Sequence, residues 1–164
     1  MEIERKYLVP ALPEGYEKYP FHQIEQAYLC TEPVVRIRRQ DEEYYLTYKG
    51  KGLLAREEYN LPLTRDAYHH LLPKADGIVL TKRRYLIPLE EALSAAETGC
   101  LTAETSGLTI ELDVFSGKYE GLVLAEVEFD SLKEAEHFTP PAWFGRDVTM
   151  SGEYQNSKLS LDNK

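Results

Sequence analysis

Cysteine is scarce in this 164-residue chain: Cys30 and Cys100 are the two present, and they show no CxxC spacing. That excludes a disulfide-stapled scaffold and a thiolate zinc site, and both thiols are expected to be free in a reducing cytoplasm. Histidine is nearly as sparse. His22, His69, His70 and His137 form no HExxH pattern, and His69-His70 reads as a solvated helix face. No Walker A motif and no full GxGxxG occur, so Gly50-Lys51-Gly52 reads as a hairpin turn. No apolar run approaches the ~18–20 residues of a membrane span. The opening Met1-Glu2-Ile3-Glu4-Arg5-Lys6 is charged at once and lacks an apolar h-region, so no signal peptide is expected.

Positive charge is also in short supply. Lys+Arg number 19 against 28 Asp+Glu, for a formal net charge of -9. A non-specific nucleic-acid binder or an anionic-membrane binder would need the opposite balance. Net charge does not exclude a small anionic ligand, because it says nothing of where the charges sit. Hydrophobic residues make up 43% and charged residues 29% of the chain, as in soluble globular proteins. Area scaling for this length buries roughly 70% of the surface, enough for one domain spanning 1–164 with a real core.

The dominant period is two. Met1–Val9, Gln23–Cys30, Val34–Gln40, Glu43–Lys49, Leu54–Pro62, Ile78–Pro88, Leu108–Ser116 and Leu122–Asp130 read as strands. Short polar breaks between several of them favour antiparallel pairing. Helical signals are few. Thr64 is placed to cap a helix through Leu72, stopped by Pro73. Ser131-Leu132-Lys133-Glu134 fits a capping box. Leu89–Thr98 reads as a helix inserted between strands, followed by loop over Gly99–Gly107. The fold expected is mainly β: a closed eight-stranded antiparallel barrel or a strongly curved sheet, with a few short helices outside.

Strand parity puts charge where an ordinary barrel has core. Glu2, Glu4 and Lys6 share one face of the first strand, and Arg36 and Arg38 a face of the third. Tyr45, Thr47 and Lys49 share a face of the fourth; Arg56, Glu58 and Asn60 follow on the fifth. Lys82 and Arg84, Glu111 and Asp113, and Glu126 and Glu128 form pairs on the last three. The intervening residues are often apolar, as in Ile110, Leu112 and Val114. A solvated face usually mixes signs; here acids cluster on three strands, the first also carrying Lys6, and bases on three others. Paired carboxylates suit a hard divalent cation, and spaced Arg and Lys suit phosphoryl oxygens. If these faces point inward, the lumen is wet, since dry unpaired charges would cost several kcal/mol each.

Glu2-Ile3-Glu4-Arg5-Lys6 is an ExExK sequence. It is followed in order by Arg36-Ile37-Arg38, Lys49 before a glycine turn, Glu58, Lys82-Arg83-Arg84, Glu111-Leu112-Asp113 and Glu126-Val127-Glu128. The series resembles the CYTH domain, the triphosphate tunnel metalloenzyme family, from Met1 to about Leu161. Its nearest likeness is to short bacterial members that hydrolyse inorganic tripolyphosphate. The resemblance implies an eight-stranded barrel whose lumen is a tunnel for a triphosphate, with Mg²⁺ or Mn²⁺, two ions, as cofactor. It implies metal ligation by Glu2, Glu4, Glu111, Asp113, Glu126 and Glu128. It implies phosphate contacts from Lys6, Arg36, Arg38, Lys49, Lys82 and Arg84, with Glu58 in the substrate site. Many members carry a second acid two residues beyond Glu58; here that position is Asn60.

The chemistry implied is phosphoryl transfer to water, governed by positioning and electrostatics. Lys6 or Lys82 is the candidate base. Tyr28, on a strand face with Gln26, either orients water or packs across strands. Tyr154, Asn156 and Ser157 either close one mouth or, for Asn156, cap a final helix. Seven acids and six bases on the inward faces leave the lumen slightly negative, and two divalent cations would bring it to about +3. The partner implied is a small anionic substrate, with no nucleic acid and no membrane. Rival readings are a thiamine or nucleoside triphosphatase, an adenylyl cyclase and a non-catalytic polyphosphate-binding module.

Overall fold

The computed structural model describes residues 1–94, 96–103 and 105–161, without the side chain of Cys100. The sequence-based expectation for Cys100 therefore lies outside the described residues, whereas Cys30 is a free thiol. Among the described residues nine strands form one antiparallel sheet. They are β1 (Glu2–Leu8), β2 (Phe21–Thr31), β3 (Val34–Gln40), β4 (Glu43–Lys49), β5 (Ala55–Arg56), β6 (Glu58–Pro62), β7 (Asp76–Pro88), β8 (Thr109–Ser116) and β9 (Val123–Glu128). The order across the sheet is β5-β1-β9-β8-β7-β2-β3-β4-β6.

The extra strand is also what brings the edges together. The Leu54–Pro62 run divides at Glu57, because its two halves pair with different neighbours. Ala55 and Arg56 pair with Ile3 and Glu2 of β1, while Glu58–Pro62 pairs with β4 from Lys49 to Tyr45. Glu57 holds the bend through its carbonyl, which accepts from Gly50 N at 3.0 Å. The sheet therefore curls until β5 and β6, joined by one residue, complete a nearly closed barrel. The turn before β5 requires Gly52: its φ is +133°, and a Cβ there would sit 2.1 Å from Ala55 O.

The barrel is apolar on the outside. Ile3, Tyr7, Ile87, Ile110, Leu112, Ala125 and Val127 alternate with charged residues along β1, β7, β8 and β9, and their side chains form a buried cluster. Helix α3 (Leu132–His137) and the chain after it cover this face, adding Ala135, Phe138 and Phe144. On the far side, helix α1 (Arg65–Leu71) lays Tyr68 over Ala27 and Ile37. These short helices form where caps fix them: Thr64 Oγ1 accepts from Ala67 N at 3.0 Å, and Ser131 Oγ from Glu134 N at 3.2 Å. A third cluster sits inside one end of the barrel. There Tyr28, Val34, Leu80, Phe115 and Leu124 pack with Leu159 of the C-terminal helix, Asn156–Leu161.

Two helix expectations need correction. Between Pro88 and β8 the helix is α2, Leu89–Ala92, not Leu89–Thr98. Leu93 is extended at φ −90°, ψ 143°, and the Ala92 carbonyl is taken by Trp143 Nε1 at 3.1 Å. Ser94 and Glu97 then form their own turn, and Glu97 Oε2 accepts from Ala142 N at 2.7 Å. Thr98–Cys100 is a short 3₁₀ turn within the expected loop and helix end. Ala95 and Glu104, which fell in those two segments, lie outside the described residues. Asn156 does not cap the final helix, α4; it belongs to it, and its Oδ1 accepts from Lys82 Nζ at 3.4 Å.

No helix among the described residues is long and apolar enough to cross a membrane.

Candidate functional site

Antiparallel register decides which charges meet, because directly opposed residues share a face. Across β1 and β9, Glu4 opposes Glu128 and Lys6 opposes Glu126. Across β8 and β9, Glu111 opposes Glu126; across β7 and β8, Arg84 opposes Asp113. Across β3 and β4, Arg36 opposes Thr47 and Arg38 opposes Tyr45. The barrel encloses a cavity of about 380 Å³. Glu2, Glu4, Lys6, Tyr28, Arg36, Arg38, Lys49, Glu58, Arg84, Glu111, Glu126 and Glu128 all line it. Lys82 and Asp113 do not reach its surface; both lie fully buried in the wall beneath. Gln40, Tyr45, Arg56 and Asn60 also line the cavity. Gln40 was not singled out from the sequence, although parity places it on the face of Arg36 and Arg38.

The wall made by β1, β7, β8 and β9 is a network of ion pairs. Asp113 accepts from Lys82 Nζ at 2.6 Å and from Arg84 Nε and Nη2 at 2.7 and 2.8 Å. Arg84 also reaches Glu111 at 2.9 Å and Glu126 at 3.2 Å. Lys6 Nζ stands 3.3 Å from Glu126 and donates to Tyr154 O at 3.2 Å. Lys49 joins Glu2 at 2.9 Å and Glu58 at 3.2 Å near the strand closure. Burial opposes the charge of Asp113, yet Arg84 and Lys82 hold its carboxyl below the usual range. Glu126 is likewise held well down, against burial, by Lys6 and Arg84. For Lys82 burial wins: with Arg84 and Arg38 adding repulsion, it is pushed down to about 7 although Asp113 resists.

Three acids on this wall are in the opposite condition. Burial, then Glu126 and Glu2, push Glu4 up to about 8. Burial and Glu111 raise Glu128. Glu2 is raised by burial and by its hydrogen bond with Glu58, which the same contact and Lys49 hold down at about 2. Like charges placed directly opposite destabilise a ladder unless something positive comes between them.

The wall made by β2, β3 and β4 is different in kind. Arg36 and Arg38 are both buried, and among the described residues neither has a carboxylate partner. Arg36 Nη2 donates to Thr47 Oγ1 at 3.0 Å, while its Nε is buried with no hydrogen-bond partner. Thr47 Oγ1 donates in turn to Asn60 Oδ1 at 2.6 Å. Burial and the Arg38 charge push Arg36 down to about 10. A buried guanidinium with a vacant N–H is a preformed site for an anionic oxygen.

The donor set fits a divalent cation. Glu4 and Glu128 are opposed acids raised above their usual range, and buried Glu126 Oε1 has no hydrogen bond, only the Lys6 ammonium 3.3 Å away. All three offer the hard oxygen ligands that Mg²⁺ or Mn²⁺ takes. Among the described residues no three such groups already converge as a ligand cage. The acids share the face without being gathered at one point.

Acids facing acids on one wall and arginines without carboxylate partners on the other line a nearly closed barrel, an arrangement that fits a cation and a polyanion together. The CYTH domain family matches residues 1–164, and the chain belongs to that family. It is 36% identical to an inorganic triphosphatase from Nitrosomonas europaea, over 98% of this chain and 97% of that protein. It is 31% identical to an inorganic triphosphatase from Acetivibrio thermocellus, over 96% and 92% of the two chains. A crystal structure of an inorganic triphosphatase superposes with a TM-score of 0.66 at 34% identity, covering 98% of this chain and 95% of the other.

Proposed function

We propose that the protein is a metal-dependent inorganic triphosphatase that cleaves tripolyphosphate to pyrophosphate and phosphate in the cytoplasm. The observation that carries this reading is the pair Arg36 and Arg38, buried without carboxylates and facing a wall of opposed acids. Relatives that are inorganic triphosphatases at 36% and 31% identity over nearly the whole chain support the same substrate class.

Glu4, Glu126 and Glu128, with Glu2 and Glu111 beside them, are the residues that would hold Mg²⁺ or Mn²⁺, two ions at full occupancy. Bound there, the metal supplies charge neutralisation of the phosphoryl oxygens and acidification of water. Arg36 and Arg38 bind the equatorial oxygens, where charge spreads in the transition state. Lys49 and Lys6 border the same cavity and add point charges. Water attacks the terminal phosphorus, its oxygen forms the new P–O bond, and the bond to the bridging oxygen breaks. Lys82, pushed down to about 7, has a neutral fraction able to accept the water's proton, but from beneath the cavity wall it does so only through a relay. Asp113, bonded to both Lys82 and Arg84, holds the two bases in place; it is fully engaged before any ligand arrives. Pyrophosphate leaves with the electron pair of the broken bond.

The test is phosphate release from tripolyphosphate, ATP, thiamine triphosphate and pyrophosphate, each with Mg²⁺ and with Mn²⁺. Rapid turnover of tripolyphosphate and little of the others is expected. No release from tripolyphosphate with either metal would overturn the reading, and cyclic AMP formed from ATP would replace it.

A further inference from the structure

Gln26 lies in the middle of β2 and is fully buried. Its Oε1 accepts from Arg38 Nε at 2.9 Å and from Arg38 Nη2 at 2.6 Å. Its Nε2 donates to Tyr28 OH at 3.2 Å. The Nε and Nη2 edge of a guanidinium is one that a carboxylate commonly grips in a bidentate ion pair. Gln26 therefore grips Arg38 as an acid would, but without the negative charge.

Except for Arg36, the other lumen bases show what the alternative looks like. Lys6, Lys49, Lys82 and Arg84 each stand against at least one carboxylate. Arg38 is as buried as they are and has only neutral partners. The register keeps it so. Arg38 is opposed by Gln26 on β2 and by Tyr45 on β4, so no acid stands directly opposite it on either neighbouring strand.

We propose that Gln26 is a positioning residue for substrate: it locks the orientation of Arg38 and leaves its charge free for a phosphoryl oxygen. It does the same for Tyr28, whose hydroxyl it fixes at the apolar end of the cavity. The inference rests on the triphosphatase reading for the identity of the anion. The arrangement itself is one of neutral grip and unspent charge. A carboxylate here would hold Arg38 equally well and turn it into an internal ion pair.

Two variants separate the charge from the grip. Gln26→Glu keeps the shape and the acceptor and adds the charge; Gln26→Leu removes the acceptor. Gln26→Glu is expected to keep the wild-type melting temperature within a few degrees. Its kcat/KM for tripolyphosphate should fall tenfold or more, chiefly through KM, about the loss of one charge-assisted contact. Gln26→Leu should lose kcat as well, because Arg38 and Tyr28 are no longer held. Calorimetric titration of tripolyphosphate into metal-loaded wild type and Gln26→Glu reads the same loss as affinity, independently of turnover. Wild-type KM and affinity in Gln26→Glu would overturn the inference while leaving the triphosphatase reading intact. A wild type that does not hydrolyse tripolyphosphate would overturn that reading, and the affinity ratio would still decide the role of Gln26.

Discussion

Glu4→Gln should make the metal-free protein more stable and its activity vanish. Burial, Glu126 and Glu2 push Glu4 from an ordinary value of 4.5 up to about 8. A carboxyl raised in the folded state binds a proton that the unfolded chain has lost. Wild-type stability from this group is therefore complete below about pH 4.5 and declines as pH climbs through about 8. Each tenfold change in proton affinity is worth about 1.4 kcal/mol, so the difference between folded and unfolded chain is at most about 5 kcal/mol. Glu4 is only partly buried, and solvent screens much of that repulsion. An expected gain of about 1–2 kcal/mol at pH 9 follows, or roughly 2–8 °C in melting temperature for a chain of this size. The assay is thermal melting in EDTA at pH 5 and pH 9. Glu4→Gln should match wild type at pH 5 and exceed it at pH 9. Added Mg²⁺ should then stabilise wild type more than the variant, and phosphate release by the variant should fall at least a hundredfold. A variant that melts lower than wild type at pH 9 in EDTA would refute the claim that Glu4 stands uncompensated.

Asp113→Asn should behave in the opposite sense, since it strips the shared partner from Lys82 and Arg84 in a fully buried position. A loss of about 3–5 kcal/mol is expected, read as a melting temperature lower by roughly 6–20 °C in EDTA; a shift under 2 °C would count against it. Arg36→Met should raise tripolyphosphate KM tenfold or more. It should also melt no lower than wild type at pH 8 without anion. The native guanidinium is pushed down to about 10, so the folded state resists its charge, and stability falls as pH drops through that value. Leu159→Ala removes the α4 side chain from the cluster of Tyr28, Phe115 and Leu124 that fills one end of the barrel. A destabilisation of about 2–5 kcal/mol by denaturant titration is expected.

The strands were legible because period two is a local property. Val34–Gln40 and Glu43–Lys49 fall where the alternation puts them, and the others start or end within about two residues of it. The division of Leu54–Pro62 was not legible, because its cause is non-local. Arg56 turns to pair with Glu2 and Glu58 stays with Lys49, partners far apart in the chain. The shortened α2 has the same origin. Ala and Glu favour a helix beyond Ala92, but Trp143, some fifty residues on, takes the Ala92 carbonyl. For the candidate site, parity gathers the inward-facing residues onto one face, Asn60 and Arg56 included. Parity does not say which acid meets which base. Asp113 shares its face with Glu111, yet only the register and depth of β7 and β8 set it against Lys82 and Arg84. Gln26 carries no charge, so nothing in the sequence pattern marks it out beside Arg38, which it bonds.

Register also explains why the same lumen can be both stable and unsatisfied. Five bases are matched to acids and hold the barrel's interior together: Lys6, Lys49, Arg56, Lys82 and Arg84. Two bases and two acids are left over on opposite walls, Arg36 and Arg38 against Glu4 and Glu128. Were the leftovers adjacent, they would neutralise one another, and the cavity would be an inert internal salt-bridge network. Held apart by the sheet, each pair raises the energy of the empty state, and each is relieved only by a charge from outside. Neutral side chains enforce the separation: Gln26 and Thr47, with Asn60 behind Thr47, occupy the positions from which a carboxylate would cancel an arginine. The acidic excess of the whole chain, a net charge of -9, therefore gives a poor account of its ligand. On the function proposed above, what would select a polyanion is the Arg36 and Arg38 stretch of β3, which no carboxylate reaches, whereas Lys49 at the end of β4 is already paired with Glu2 and Glu58.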